Sequence, residues 1–295
     1  MLDVVYYPVS AILWFWHQIF GHLLDPASGV AWALAVAFLV FTLRLVLYAP
    51  FVRQMRSGRA LQRLQPQIAT LKKKHAGDRQ GLAVATQALQ RENGINPWSS
   101  CLPALLQAPV FLGLLHVLKS FNRTGSPLWM SVQDNAGTSN YVFGAGDVMS
   151  FLNAKLLGAP LAASISSTPA QLAAYAGDVT RWDVALVAIA LMVIAAVATH
   201  FTARASVARQ RGLPGVLPPT VVMNMLLLWA LPLGVLVGGS FLPVAILVYW
   251  LSNNAWTLAQ QHCVHRALDR EEAAEGSAAI NAQPRPAVDP PDDRR

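Results

Sequence analysis

The chain has 295 residues, 54% of them hydrophobic and 13% charged, with 22 Lys or Arg against 15 Asp or Glu for a formal net charge of +7. Soluble domains carry about 25% charged residues, so this composition excludes an ordinary soluble domain and reads as a membrane protein. The positive sign follows from where basic residues fall along such a chain rather than from a nucleic-acid partner, and two cysteines, Cys101 and Cys263, lacking CxxC spacing, exclude a disulfide framework.

The opening stretch holds Asp3 and no Lys or Arg before Asp25, unlike the basic start of a cleavable secretory signal. Tyr6 to Leu24 mixes Trp14, Phe15, Trp16 and Phe20 with Ser10, His17, Gln18 and His22. That mixture predicts a helix at the headgroup interface, with a sixth span as the alternative. Asp25, Pro26 and Gly29 break it. Val30 to Val52 then forms the first predicted span, carrying Arg44 inside it. At about 1.5 Å per residue, Arg44 lies about 13 Å along the helix from Arg53, within hydrocarbon depth. A charge there costs from about 2.5 to above 10 kcal/mol. Either it snorkels to the headgroups or other spans supply polar partners and a function.

Residues 53–97 reverse the character: Arg53, Arg56, Arg59, Arg63, Lys72, Lys73, Lys74, Arg79 and Arg91 face only Asp78 and Glu92. Such an excess places this loop in the cytoplasm and the N-terminus outside. Leu61, Leu64, Ile68 and Leu71 form one helical stripe, and Leu82, Ala85 and Leu89 another after Gly77-Asp78, which predicts an antiparallel hairpin. Pro66 is expected to kink or restart the first arm, and Asn93-Gly94 to close the second.

The second predicted span covers 98–118 and contains Gln107. Residues 119–182, rich in Gly, Ser, Asn and Pro, read as an external loop; Lys155 to Ile165 either lies on the membrane surface or is a loose connector. The third span covers 183–203, followed by a basic cytoplasmic loop, 204–215. Spans four and five, 216–237 and 241–261, are joined by Gly238-Gly239-Ser240, too short for anything but a tight external turn. This last pair holds Asn224, Trp229, Tyr249, Ser252, Asn253 and Asn254 at membrane depth. The tail, 262–295, alternates charge with Ala, Pro and Asp and reads from Arg266 as disordered. His262, Cys263 and His265 lack further nearby ligands, so no metal site is expected.

Three stretches, in order and at the ends of the predicted spans, resemble the YidC family of membrane protein insertases, in its bacterial five-span type. They are Arg44-Leu45-Val46-Leu47-Tyr48-Ala49-Pro50 leading into Leu64-Gln65-Pro66-Gln67-Ile68; Asn93-Gly94-Ile95-Asn96-Pro97 with Cys101-Leu102-Pro103 and Gln107-Ala108-Pro109-Val110-Phe111; and Tyr249-Trp250-Leu251-Ser252-Asn253-Asn254 continuing to Thr257 and Gln260-Gln261. The match covers about Val30 to Gln261. The chain departs from members that begin with a lipobox, and it has no room for the large external domain of others.

The resemblance implies an all-α polytopic protein of the bacterial cytoplasmic membrane, with its C-terminus inside, that inserts clients without nucleotide hydrolysis. No GxxxxGK[ST] stretch occurs. No cofactor is expected. Nascent membrane-protein clients and membrane lipids are the implied partners; whether a Sec translocon or the ribosome joins them is left open, and no DNA binding is expected. Our reading of the residues is a wet groove open to the cytoplasm, lined by Arg44, Gln107, Trp229, Tyr249 and Asn253, which receives the polar end of a client. The alternative is a transporter or channel with its substrate site at Arg44.

Overall fold

A computed structural model of the chain describes residues 3–95, 102–124, 130–173, 175, 177–211 and 225–281. It contains two compact units, Met1–Thr257 and Leu258–Arg295, and is helical along most of the described length. Among the described helices, Gly29–Val46 and Arg181–Ala205 are long and apolar enough to cross a membrane.

In the first unit, α1 (Asp3–Leu23) and α2 (Gly29–Val46) form a packed pair joined by a tight link in which the Asp25 carboxylate accepts from the amide of Ala27 at 2.7 Å. Gly29 opens α2 pressed against the backbone of Lys155, whose carbonyl would collide with any Cβ at this position. The predicted run 30–52 is not one helix. Leu47, at φ −88° and ψ 8°, ends α2, and α3 (Tyr48–Lys74) begins at once. Backbone bonds still pass through the bend, from Leu47 to Leu43 and from Phe51 to Leu47. Arg44 therefore stands in the last turn of α2, where the carbonyl end of the helix favours a cation.

α3 continues through Pro66 rather than restarting there. Pro66 lies on the exposed side of the helix, where solvent can take up the carbonyl that its ring leaves without an amide. The Asp78 side chain caps α4 (Arg79–Glu92) by accepting from the amide of Gly81 at 2.8 Å, and Gly94, at φ +67°, ends it in the left-handed conformation.

α5 (Leu102–Lys119) leads into an ordered layer where composition predicts a loop. The layer comprises α6 (Val132–Gly137), α7 (Ala145–Asn153), a two-stranded antiparallel hairpin of β1 (Lys155–Leu156) and β2 (Ala159–Pro160), and α8 (Pro169–Leu172). Leu157 and Gly158, at φ +50° and +91°, make the two-residue turn. Two buried asparagines cap the end of α5: Asn140 Nδ2 donates to the carbonyl of Val117 at 3.1 Å and Asn135 Nδ2 to that of Phe121 at 3.0 Å. Carbonyls near a helix end lack internal partners, and these amides supply them.

α9 (Arg181–Arg211) begins with a reciprocal cap between Thr180 and Asp183. After residues 212–224, which are outside the described set and include Asn224, one π-helical turn (Leu226–Ala230) precedes α10 (Leu231–Gly238). Pro232 offers no amide to the Leu228 carbonyl four residues back. His200 Nδ1, from α9, bonds that carbonyl at 2.9 Å. A 3₁₀ turn (Gly239–Phe241) leads to α11 (Val244–Asn281).

α11 carries regular structure through the segment that composition marks as disordered, as far as Asn281; residues 282–295 lie outside the described set. Between Arg266 and Ala279 the residues are mostly Ala, Arg, Leu and Glu, all strong helix formers, so polarity here does not oppose a helix.

Candidate functional site

The site is built on one face of α11. Tyr249, Asn253 and Thr257 follow one another at spacings of four and so stand in a row along the helix. Facing this row are Arg44 from the last turn of α2 and Gln107 from α5.

Asn253 Oδ1 accepts from both Arg44 Nε, at 3.1 Å, and Arg44 Nη2, at 2.6 Å. Arg44 Nη2 also donates to Thr257 Oγ1 at 3.3 Å. The Thr257 hydroxyl spends its own proton on the Asn253 carbonyl, at 2.7 Å, which turns its lone pairs toward the guanidinium. One level along the row, Gln107 Nε2 donates to the Tyr249 hydroxyl at 2.5 Å. Phe111, one turn beyond Gln107, lies with its ring 5.7 Å from that of Tyr249. Tyr249 stands one helical turn before Asn253 on the same face of α11, so the two polar pairs lie next to each other along the row.

The chemistry of the partners decides what the cluster can do. A carboxylate would cancel the charge of Arg44; a carboxamide and a hydroxyl orient the guanidinium and leave the charge in place. Among the described residues Arg44 has no carboxylate partner, and its Nη1 donors are not engaged. Arg44 and Gln107 are both half-buried, whereas Tyr249 is buried, so the cation sits at a partly accessible edge above a packed floor.

Four of the five residues named from sequence, Arg44, Gln107, Tyr249 and Asn253, are thus brought together. Trp229 has no described contact with these four; it lies in the π-helical turn with its ring 5.2 Å from His200. Thr257 belongs to the cluster but was not among the five. Its signal was present, because it stands one helical turn beyond Asn253 on the same face.

A family model described as "60Kd inner membrane protein" matches residues 23–272. A protein named membrane protein insertase YidC from Mycobacterium tuberculosis (strain ATCC 25618 / H37Rv) is 50% identical over 283 residues, covering 95% of this chain and 76% of that protein. Its namesake in Mycobacterium leprae (strain TN) is 51% identical over 283 residues, covering 95% and 74%. That of Streptomyces avermitilis is 30% identical over 259 residues, covering 88% and 57%.

Proposed function

We propose, from the premise that this chain belongs to the 60Kd inner membrane protein family of YidC membrane protein insertases, that it inserts client proteins into the bacterial inner membrane through a groove centred on Arg44. The observation that carries the reading is the pairing of Arg44 with neutral acceptors only, Asn253 and Thr257, among the described residues. A cation held in place with its charge uncancelled attracts a client's polar or acidic end into the membrane. The half-buried Gln107 and Arg44 supply the wet wall. The client's apolar segment passes out along the faces of α5 and α11. Binding stays weak, because a client held tightly would not leave, and no nucleotide is consumed.

The topology in this reading has five spans: α2, α5, α9, α10 with the segment before it, and the first half of α11. The basic arms α3 and α4 make a hairpin in the cytoplasm, as the excess of Lys and Arg between Arg53 and Arg91 favours. α1 lies along the outer surface instead of spanning. Support comes from its two ends, which both meet the layer formed by residues 130–173: the ring of Tyr7 is 5.4 Å from that of Tyr141, and Gln18 donates to Asp147 at 3.5 Å. A helix crossing the membrane would bring only one end to that layer. With Lys73→Cys and Ser139→Cys in intact cells, an impermeant thiol reagent should label position 139 and spare position 73. Labelling of position 73 from outside would reverse the orientation.

The groove itself is tested with a photocrosslinker at Gln107 during synthesis of a short single-span client. Crosslinks to the client that disappear after its release into lipid are expected; none at any chain length would remove the groove from the client's path. The transporter reading is not favoured by the relatives, which are named insertases.

A further inference from the structure

Away from the groove, the first unit contains an open cavity of about 1070 Å³ between the start of α1, the end of α5, the segments 139–141 and 162–167, and the 3₁₀ turn before α11. Its chemistry is one-sided. His116 and Lys119, from the last turn of α5, and Arg123 just after it line the cavity, and among the described residues no carboxylate does.

Arg123 is fixed by donating from Nη2 to the Ser139 carbonyl at 3.1 Å and to Asn140 Oδ1 at 3.3 Å. Both acceptors are neutral, so its charge is uncancelled. Lys119 is exposed, and its ammonium has no partner among the described residues. Opposite them Ser164, Ser166 and Ser167 are linked by hydroxyl contacts of 3.0 and 3.2 Å, a set of donors that can rotate toward an oxyanion.

The remaining wall mixes polar side chains, Asn122 and Gln171 among them, with apolar ones. Leu112 is 57% exposed and Phe241 63% exposed, and both line it. A soluble anion would use the cations and the serines but has no need of these exposed apolar side chains; an anion carrying an acyl chain uses both.

We propose that this cavity binds an anionic phospholipid, its phosphate and headgroup between Lys119, Arg123 and the serine cluster, and one acyl chain along Leu112 and Phe241. The site is separate from the Arg44 cluster and involves none of its residues. The topology proposed above decides only which leaflet supplies the lipid.

The test uses the purified full chain in detergent with phosphatidylglycerol bearing a photoactivatable acyl chain, read by mass spectrometry of labelled peptides. Labelling should concentrate on the peptides containing Leu112 and Phe241. Removing one cation near an anionic headgroup should cost about fivefold in occupancy, so Lys119→Gln should lower labelling by about that factor and Lys119→Glu by more. Phosphatidylcholine with the same chain should label weakly, and inorganic phosphate at the lipid's concentration should not displace the probe. Equal labelling by the two lipids on the unaltered protein, labelling unchanged in Lys119→Glu, or displacement by inorganic phosphate would each overturn the proposal. The lipid comparison needs no variant and stands even if a substitution disturbs folding.

Discussion

Arg44→Ala should abolish insertion of single-span clients whose translocated ends carry acidic residues, while Arg44→Lys retains much of it. The assay is insertion into vesicles containing the purified protein, scored by protease protection of the client. Lysine keeps the positive charge but not the planar fork that reaches Asn253 through two nitrogens at once. If charge is what matters, Lys suffices. If Arg44 serves as a strut between α2 and α11, Lys and Ala should both fail, and for every client alike. Asn253→Ala separates the two roles further, since it removes two of the three bonds that hold the guanidinium, leaving the one to Thr257, and keeps the cation. It should slow insertion moderately and preserve the preference for acidic ends. Clients without acidic residues in the translocated segment should depend on Arg44 less, because the attraction then has no partner. Equal insertion by the unaltered protein and Arg44→Ala, with folding of both verified, would sink the mechanism and leave family membership untouched.

The Arg44 cluster was legible because polar residues at membrane depth are costly and therefore few. Tyr249 and Asn253 stand four apart in an apolar run, which puts them on one helical face; Arg44 and Gln107 are isolated polar residues in other such runs. What periodicity cannot supply is which runs face each other, and Trp229 shows the limit: its segment is apolar on all sides, so nothing in the pattern directs its ring toward His200 rather than toward Arg44. The bend at Leu47 does have a signal in Pro50, which offers no amide to the Val46 carbonyl four residues back, but the apolar run continues past it and helical bonds persist on either side, so Val30 to Val52 reads as one element. The layer between residues 130 and 173 was hidden for another reason. Its elements are as short as two to nine residues, too brief to show a period, and they are held by contacts between distant positions rather than by local pattern.

Those distant contacts converge on Trp32, and Trp32→Ala should be the most damaging single change outside the groove. Trp32 is fully buried near the start of α2. Its ring stacks on His17 of α1 with centroids 3.6 Å apart and meets the edges of Phe121 and Phe151 at 5.7 and 4.9 Å, while Phe143 packs at 5.7 Å. Its indole nitrogen donates to Ser150 Oγ at 3.1 Å; the Ser150 hydroxyl donates to the Pro26 carbonyl, which His17 Nε2 also meets at 3.0 Å. One side chain thus ties α1, α2, the end of α5 and α7 together. Truncating a buried Trp or Phe to Ala costs about 3–5 kcal/mol, from lost contacts and the cavity left behind. Trp32→Phe keeps a ring among the aromatics and forfeits mainly the bond to Ser150, a loss of about 1 kcal/mol. Thermal unfolding in detergent, followed by limited proteolysis within residues 130–173, should therefore rank the unaltered protein, then Trp32→Phe, then Trp32→Ala. Because the lesion lies about 18 Å along α2 from Arg44, the Phe variant should still insert clients at close to the normal rate. A Trp32→Ala protein with unchanged melting and an uncut layer would mean that the aromatic cluster only fills space and does not hold the layer to the helices beneath it.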